Sequence, residues 1–523
     1  MKQHLVFWVS LGIALVFGVP GVLMPEAFLK TAEWMHGAIL AGFGWAYLGA
    51  TLLFLIFSLY LALGRYGSVR LGRQEERPQF SYFGWFSMLF AAGMGIGLIF
   101  WGVAEPMSHY LKPPPGAEPE TAEAARQAMQ YSFFHWGVTP WAVYITMSLS
   151  IAYFSFRRGM PPLISSCFYP LLGERIHGGP GYLIDILAVF ATLFGIVTSL
   201  GLGAMQITSG LGEVFGIPTG TGTILAVIAV VTVLFMISTM TGVEKGIQIL
   251  SKTNIVLALT LLSFVFVIGP TLTILNILTQ GIADFATGFV EMSLSTNPFE
   301  GHDWTHAWTF FYWAWWIAWA PFVGLFVASI SRGRTIREFV GGALVVPVLL
   351  TFLWFSAFGG SAFEFEFGAS QGIAETIGDD VSTGLFHLYE LFPLTPVLSL
   401  ITILLLGVFF ITSADSATYV LSMMTSGGKL RPPAVKKIVW GLIISGMAAV
   451  LLQAGGLEAL QKMAITAALP FTFLLLGMGV SLLKGLEYEW RVEGLREKIR
   501  LGSEDVEEPA LEKPPDKPDA ENE

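Results

Sequence analysis

Apolar runs of about 20 residues recur along this chain from its first positions to about residue 483, separated by short loops that hold most of the charge. A bilayer core about 30 Å thick requires roughly 20 apolar residues per helical span. In hydrocarbon every backbone N–H and C=O must be satisfied within the protein, which an α-helix does by itself. Spans are expected at 5–24, 38–63, 82–104, 131–155, 182–211, 222–242, 253–276, 305–330, 340–361, 394–424, 436–454 and 459–483. The chain therefore reads as an all-α polytopic membrane protein of about twelve transmembrane helices. Its 54% hydrophobic and 13% charged residues exclude an ordinary soluble domain, in which charged residues are about twice as frequent. Cys167 stands alone, which rules out an intrachain disulfide and a zinc-type cysteine cluster. The first run is too long for the apolar core of a signal peptide and lacks an A-x-A-like site, so it reads as an uncleaved helix.

The distribution of Lys and Arg orients these spans better than the net charge of −10 does. With the N-terminus taken as cytoplasmic, the inside loops carry sixteen, in clusters at Arg65–Arg77, Arg157–Arg175, Lys245 and Lys252, Arg332–Arg337 and Lys429–Lys437. The outside loops carry Lys30, Lys112, Arg126 and Lys462 only. Sixteen against four places both termini in the cytoplasm of an inner (plasma) membrane protein.

Residues 1–79 hold two N-terminal helices and a cytoplasmic loop, and 484–523 form a charged tail. Acidic segments expected outside lie at 105–126, 281–303 and 362–390, the last two amphipathic enough to lie along the surface. Residues 485–501 read as a short charged helix and 503–523 as disordered. Glycine- or proline-interrupted helices at matching places in two halves mark carriers built on inverted repeats. Two such places stand out: Gly93-Met94-Gly95-Ile96-Gly97 in the third span, and Trp313 to Pro321 in the eighth. They are five helices apart, which suits one repeat over 80–280 (helices 3–7), an external segment at 281–304 and a second repeat over 305–483 (helices 8–12).

Three constellations carry chemistry. Glycines at 93, 95 and 97 serve either close helix packing or close approach of a ligand to the backbone. No strand precedes them, so a dinucleotide fingerprint is excluded. Trp313, Trp315, Trp316 and Trp319 crowd into seven residues in the middle of a span, too deep for an interfacial belt. They serve either the core or an aromatic cage for a cation such as trimethylammonium. Trp136, Trp141 and Tyr144 supply a second set in the fourth span, with the last two on one helical face. Thr412, Ser413 and Ser416 in the tenth span offer oxygens for Na⁺, or else bond back to their own helix. Asp415 is a rare intramembrane carboxylate with a gating or structural role. The histidines, His135 and His306 among them, show no metal-ligand spacing, so a membrane-embedded enzyme is disfavoured.

The segment Trp308 to Trp316, continued by Ile-Ser-Arg-Gly-Arg-Thr335, resembles the signature of the betaine/choline/carnitine transporters, with Ala307 and Phe310 as slight departures. Ala91–Gly97, Phe134–Tyr144 and Phe409–Ser416 resemble the family in the same order, and the resemblance covers roughly residues 1–485. It implies a leucine-transporter-like inverted-repeat fold, alternating access and a homotrimer in the lipid bilayer, with no organic cofactor and no nucleic-acid partner. It implies a substrate cage of Trp136, Trp141, Tyr144 and Trp316, with Trp315 and Trp319 at the site or along the pathway. Gly93, Gly95 and Gly97 would line that site. It also implies a sodium site from the backbone carbonyls of Ala91 and Met94, with Phe409, Thr412 and Ser413. A second sodium position would fall at Thr192 and Phe322, but Ile196 stands where another hydroxyl is expected. Proton-coupled choline members carry an aspartate where this chain has Gly97, which favours a zwitterion.

The implied function is Na⁺ symport of a betaine-type compatible solute. The alternatives are a sodium-independent carnitine-type exchanger, a carrier of ectoine or dimethylsulfoniopropionate, and, from other classes, a channel or an enzyme. Osmosensing members carry a long basic C-terminal extension. Here Lys484–Leu501 is nearly balanced and the remainder acidic, so osmotic regulation through the tail is expected to be weak, and truncation after Lys484 to leave it unchanged.

Overall fold

The computed structural model describes residues 2–93, 95–241, 244–299, 303–369 and 372–500, and most of these are helical, with no strand among them. Two long helices, α1 (Lys2–Leu23) and α2 (Pro25–Leu63), lead in. They are followed by α3 (Tyr82–Gly93), α4 (Gly95–Leu111), α5 (Ala122–Trp136), α6 (Val138–Ala152) and the single turn α7 (Tyr169–Leu172). The first half continues with α8 (Gly179–Phe215), α9 (Thr221–Thr241), α10 (Glu244–Ile268) and α11 (Thr271–Leu294). The second holds α12 (Asp303–Ala307), α13 (Thr309–Ile330), α14 (Ile336–Ala369), α15 (Ile373–Asp379), α16 (Gly384–Glu390), α17 (Thr395–Met424) and α18 (Ala434–Arg500).

Eight described helices are long and apolar enough to cross a membrane, ten when each of two bent pairs is taken as one span. The sequence count of twelve exceeds that for two visible reasons. The expected fourth span is split at Gly137 into α5 and α6, each of 15 residues. The last two expected spans run together in α18, which is kinked where Gly455 and Gly456 leave helical geometry. Large apolar side chains such as Trp8, Leu63, Val233 and Leu272 are exposed on the outer helices, as lipid-facing surface requires.

Helix α8 lies at the centre, packed on α13, α17 and α18. Its glycines allow this. A methyl on Gly195 would fall 2.7 Å from the Ala318 carbonyl carbon of α13, and one on Gly201 would fall 2.4 Å from Leu460 of α18. Small residues at such crossings let membrane helices approach at backbone distance.

The third span breaks as expected: α3 and α4 meet at 63° around position 94. The eighth does not break at its tryptophan–proline stretch. Helix α13 runs unbroken from Thr309 through Pro321 to Ile330, and the discontinuity lies earlier, at the turn of Trp308 between α12 and α13. Neighbouring helices compensate for the hydrogen bond a proline removes in a membrane helix. The Ile-Ser-Arg-Gly-Arg-Thr stretch after α13 ties it to the start of α3. Buried Arg334 lies over the Trp85 ring at 4.1 Å and donates to the Phe80 carbonyl at 2.8 Å, while Trp85 Nε1 donates to Ser331 Oγ at 2.9 Å.

Two expectations change, and the surface segments fall on helices. The acidic segment placed outside from residue 105 begins inside α4, because Glu105 interrupts the apolar run but not the helix. Of the surface segments, 281–303 falls largely on α11, turned 108° from α10, and 362–390 on the end of α14 with α15 and α16. The charged stretch after residue 484 is no separate helix but the continuation of α18; residues 501–523 lie outside the described residues.

That continuation is docked. Tyr153 donates to the Gly485 carbonyl at 2.7 Å, Tyr66 to Glu487 at 2.5 Å, and Arg65 and Arg157 pair with Glu487 and Glu489. A cut after Lys484 is therefore expected to lower the yield and melting temperature of the purified protein. A cut after Val492 keeps these contacts and should leave both, and the response of uptake to osmotic upshift, as in the full chain. Size-exclusion chromatography, thermal melts and uptake assays on the two truncations check this.

Candidate functional site

The break between α3 and α4 faces the aromatic residues of α5, α6 and α13. Trp136 closes α5, Trp141 and Tyr144 stand one turn apart on α6, and Trp315, Trp316 and Trp319 occupy one face of α13. All six are buried. Trp136 meets Trp316 edge-to-face at 4.8 Å between ring centroids and Trp315 at 6.1 Å. Tyr144 lies 5.8 Å from Trp141, 6.3 Å from Trp316 and 6.4 Å from Trp319. Trp315 and Trp316 stack at 4.7 Å. The structure thus brings together six of the seven aromatic residues singled out in the sequence. Trp313, on another face of α13, packs against Phe134 instead.

The glycines divide by direction. A methyl on Gly93 would lie 2.6 Å from the Trp141 ring, and one on Gly97 would lie 2.5 Å from Trp315 and 2.9 Å from Trp136. These two glycines let the cage rings lie against the backbone. Gly95 faces the other way: its methyl would lie 3.5 Å from Phe409 of α17, an ordinary contact. Gly95 therefore borders the α17 side rather than the cage.

The rings are held by hydrogen bonds. Trp315 Nε1 donates to the Gly195 carbonyl and to Ser199 Oγ, both at 3.3 Å, and Trp316 Nε1 donates to the His135 carbonyl at 3.0 Å. Trp136 Nε1 donates to Glu105 Oε2 at 2.7 Å, and the Tyr312 hydroxyl donates to the same oxygen at 2.5 Å. Tyr312 itself stacks on Trp316 at 5.9 Å. By contrast, Trp141 Nε1 and the Tyr144 hydroxyl are buried and have no hydrogen-bond partner among the described residues. Unpaired donors at that depth are costly unless a ligand answers them.

Glu105 and Tyr312 escaped the sequence reading, and so did the contact of His109 and His135 with Glu105. His109 Nε2 lies 3.2 Å and His135 Nδ1 2.7 Å from Glu105 Oε1, and the three ligand-type atoms fall within 4.8 Å of one another. The expectation that the histidines have no metal-like spacing fails in space, because His135 comes from a different helix. The signal present in the sequence was the spacing of Glu105 and His109, which places both on one face of a helix.

Of the residues implied for sodium, Ala91 lies in the last turn of α3, whose carbonyls have no partner within the helix. Met94 lies outside the described residues. Phe409, Thr412 and Ser413 stand on α17, with Phe409 next to Gly95 of α4. Thr412 Oγ1 donates to the carbonyls of Val408 at 2.9 Å and Phe409 at 3.2 Å. Back-bonding thus occupies its proton, and its oxygen also accepts from Asn254 Nδ2 at 3.4 Å; the hydroxyls and carbonyls named are oxygen donors of the kind a hard cation takes. Those residues fit a sodium ion. Thr192 of the second position is fully buried and bonds back to the Ala188 carbonyl at 2.7 Å; Ile196 beside it offers no oxygen, and Phe322 lies on α13 above Trp319. Asp415 accepts from Ser238 Oγ at 2.9 Å and from Thr239 Oγ1, tying α17 to α9, which is a structural contact.

The family model described as BCCT, betaine/carnitine/choline family transporter, matches residues 5–491. The chain is 48% identical to a protein named glycine betaine transporter OpuD of Bacillus subtilis (strain 168), over 95% of this chain and 98% of that protein. It is 45% identical to a probable glycine betaine transporter of Desulfitobacterium hafniense (strain Y51), over 93% and 98% of the two chains. It is 44% identical to an ectoine/hydroxyectoine transporter of Virgibacillus pantothenticus, over 91% and 95%. With its many membrane-length helices and these relatives, the chain is a multi-pass membrane transporter rather than an enzyme, and it belongs to the betaine/carnitine/choline transporter family.

Proposed function

We propose that this protein takes up a betaine-type compatible solute, a zwitterion with a trimethylammonium group, by Na⁺ symport with alternating access. The observation that carries the reading is the convergence of Trp136, Trp141 and Trp315 on Gly93 and Gly97 of the α3–α4 break, with Tyr144 and Trp316 packed against those rings; a methyl on Gly93 would lie 2.6 Å from a ring and one on Gly97 2.5 Å. The faces of indole and phenol rings attract a cation that has no N–H to donate, by about 2 kcal/mol or more per desolvated ring. Trp141 Nε1 and the Tyr144 hydroxyl, buried and unpaired, provide donors suited to the carboxylate at the other end of such a zwitterion. The names of the glycine betaine relatives support the same substrate class.

Sodium coupling is supported by the all-oxygen set of the Ala91 and Phe409 carbonyls with Thr412 and Ser413. Ala91, Phe409, Thr412 and Ser413 would hold the ion, and carbonyl dipoles would answer its positive charge. We also propose both termini in the cytoplasm, from the loop charges, and the two inverted repeats of helices 3–7 and 8–12 assembled as a homotrimer.

Uptake of labelled glycine betaine into proteoliposomes should require an inward sodium gradient. Uptake of equal rate in potassium-only buffer would overturn the coupling. Ectoine belongs in the same assay, because a relative of nearly equal identity carries that name. Saturable ectoine uptake without betaine uptake would replace the substrate.

A further inference from the structure

Behind the cage lies a carboxylate that nothing so far explains. Glu105 is fully buried in α4, and its two oxygens receive four contacts: His109 and His135 at Oε1, Trp136 and Tyr312 at Oε2. An ionised carboxylate only accepts, at about four lone-pair positions, so all four are filled by donors. Each histidine meets this need as the neutral ring. With Nδ1–H given to Glu105, His135 Nε2 is left to accept from Thr309 Oγ1 at 3.0 Å. The same saturation argues against a metal ion, which would have to displace two N–H donors. Among the described residues no lysine or arginine pairs with Glu105; the titratable side chains on it are the two histidines, acting as neutral N–H donors. The cluster therefore carries an uncompensated negative charge one indole away from the cage.

We propose that Glu105 is a positioning and charge-selecting residue for the transported solute. Its carboxylate holds Trp136 and Tyr312 against Trp316, and its field supplies the negative charge that the ammonium group of the substrate answers. The proposal rests on the quaternary-ammonium reading above. Two parts of the cage depend on the cluster: Trp136 directly, and Trp316 through the His135 carbonyl that accepts its Nε1. A buried carboxylate without a resident cation is costly, and a transporter that binds a cation beside it recovers that cost only when loaded.

The test compares two competitors of labelled glycine betaine uptake in proteoliposomes: unlabelled glycine betaine, and 3,3-dimethylbutanoate, which has the same shape and carboxylate but a carbon in place of the charged nitrogen. Wild type should favour betaine strongly. In Glu105→Gln the ratio of the two inhibition constants should fall about 10- to 30-fold, the size of one charge–charge interaction across an indole at an effective dielectric constant of about 20. A purely structural role would weaken both competitors alike, so an unchanged ratio overturns the proposal. Should Glu105→Gln fail to fold, His109→Lys keeps the carboxylate and neutralises it by a neighbouring ammonium. A fall in the ratio then supports the proposal, and an unchanged ratio overturns it. Tyr312→Phe, which removes one donor but no charge, should weaken both competitors and keep the ratio; a ratio that falls with it overturns the assignment of selectivity to charge. If wild type itself does not discriminate between the competitors, the quaternary-ammonium reading fails, and this proposal with it.

Discussion

Leucine in place of Trp316 is expected to abolish measurable uptake of glycine betaine while leaving a folded, membrane-inserted protein. The indole of Trp316 meets Trp136 at 4.8 Å and Trp315 at 4.7 Å, and its Nε1 fixes the turn at His135. Removing one desolvated ring face forfeits about 2 kcal/mol or more, roughly a 30-fold loss of affinity. The change also frees the His135 carbonyl and lets two neighbouring rings tilt, so the effect exceeds that of a single lost contact. Trp313→Leu is the matched control. Trp313 is as deeply buried as Trp316, but it packs on Phe134 and the edge of His135 and touches none of the cage rings. It should cost thermal stability comparably and leave the KM for betaine close to wild type. Uptake kinetics beside melting curves of both variants separate the two outcomes. If Trp316→Leu transports with unchanged KM, the ring does not touch the substrate.

That contrast also marks how far the sequence could be read. The tryptophans of α13 announced themselves by density at mid-span, and their distribution over helical faces follows from spacing: Trp315, Trp316 and Trp319 share a face that Trp313 does not. Gly93 and Gly97 were legible as places of close approach. Gly95 was not separable from them, since only the direction of α17 decides that it faces Phe409. The carboxylate cluster was hidden for a physical reason. A charged residue ends an apolar run, so Glu105 reads as the start of an outside segment although the helix continues to Leu111. His135 and Tyr312, which complete the cluster, lie 30 and 207 positions away, beyond any local pattern. The eighth helix misled in the opposite sense. Pro321 looked like an interruption, but the break falls at Trp308, a residue with no conformational signature of its own.

The glycine at 97 now carries two arguments where the sequence offered one. Read from resemblance, its lack of a carboxylate suits a zwitterion. Read from the structure, it has no room even for a methyl group, because Trp315 would stand 2.5 Å away and Trp136 2.9 Å. Neither ring is free to retreat. Trp315 is fixed by Gly195 and Ser199 and stacked between Phe311 and Trp316, and Trp136 is fixed by Glu105. Overpacking of this kind costs about 1–3 kcal/mol, and here the strain falls on the two rings that would face the ammonium group. Gly97→Ala is therefore expected to raise the KM for glycine betaine about 10-fold, with a smaller change in melting temperature than Trp316→Leu. Gly95→Ala meets only an ordinary contact at the first position of α4, so its KM should stay near wild type. Substrate kinetics on the pair check the assignment: equal KM changes in the two variants would show that helix flexibility, and not ring placement, is what these glycines provide. An aspartate at 97 would meet the same two rings with a larger side chain. Any gain in binding choline would then require the cage to open around it, and affinity for betaine should fall at least as far as in Gly97→Ala.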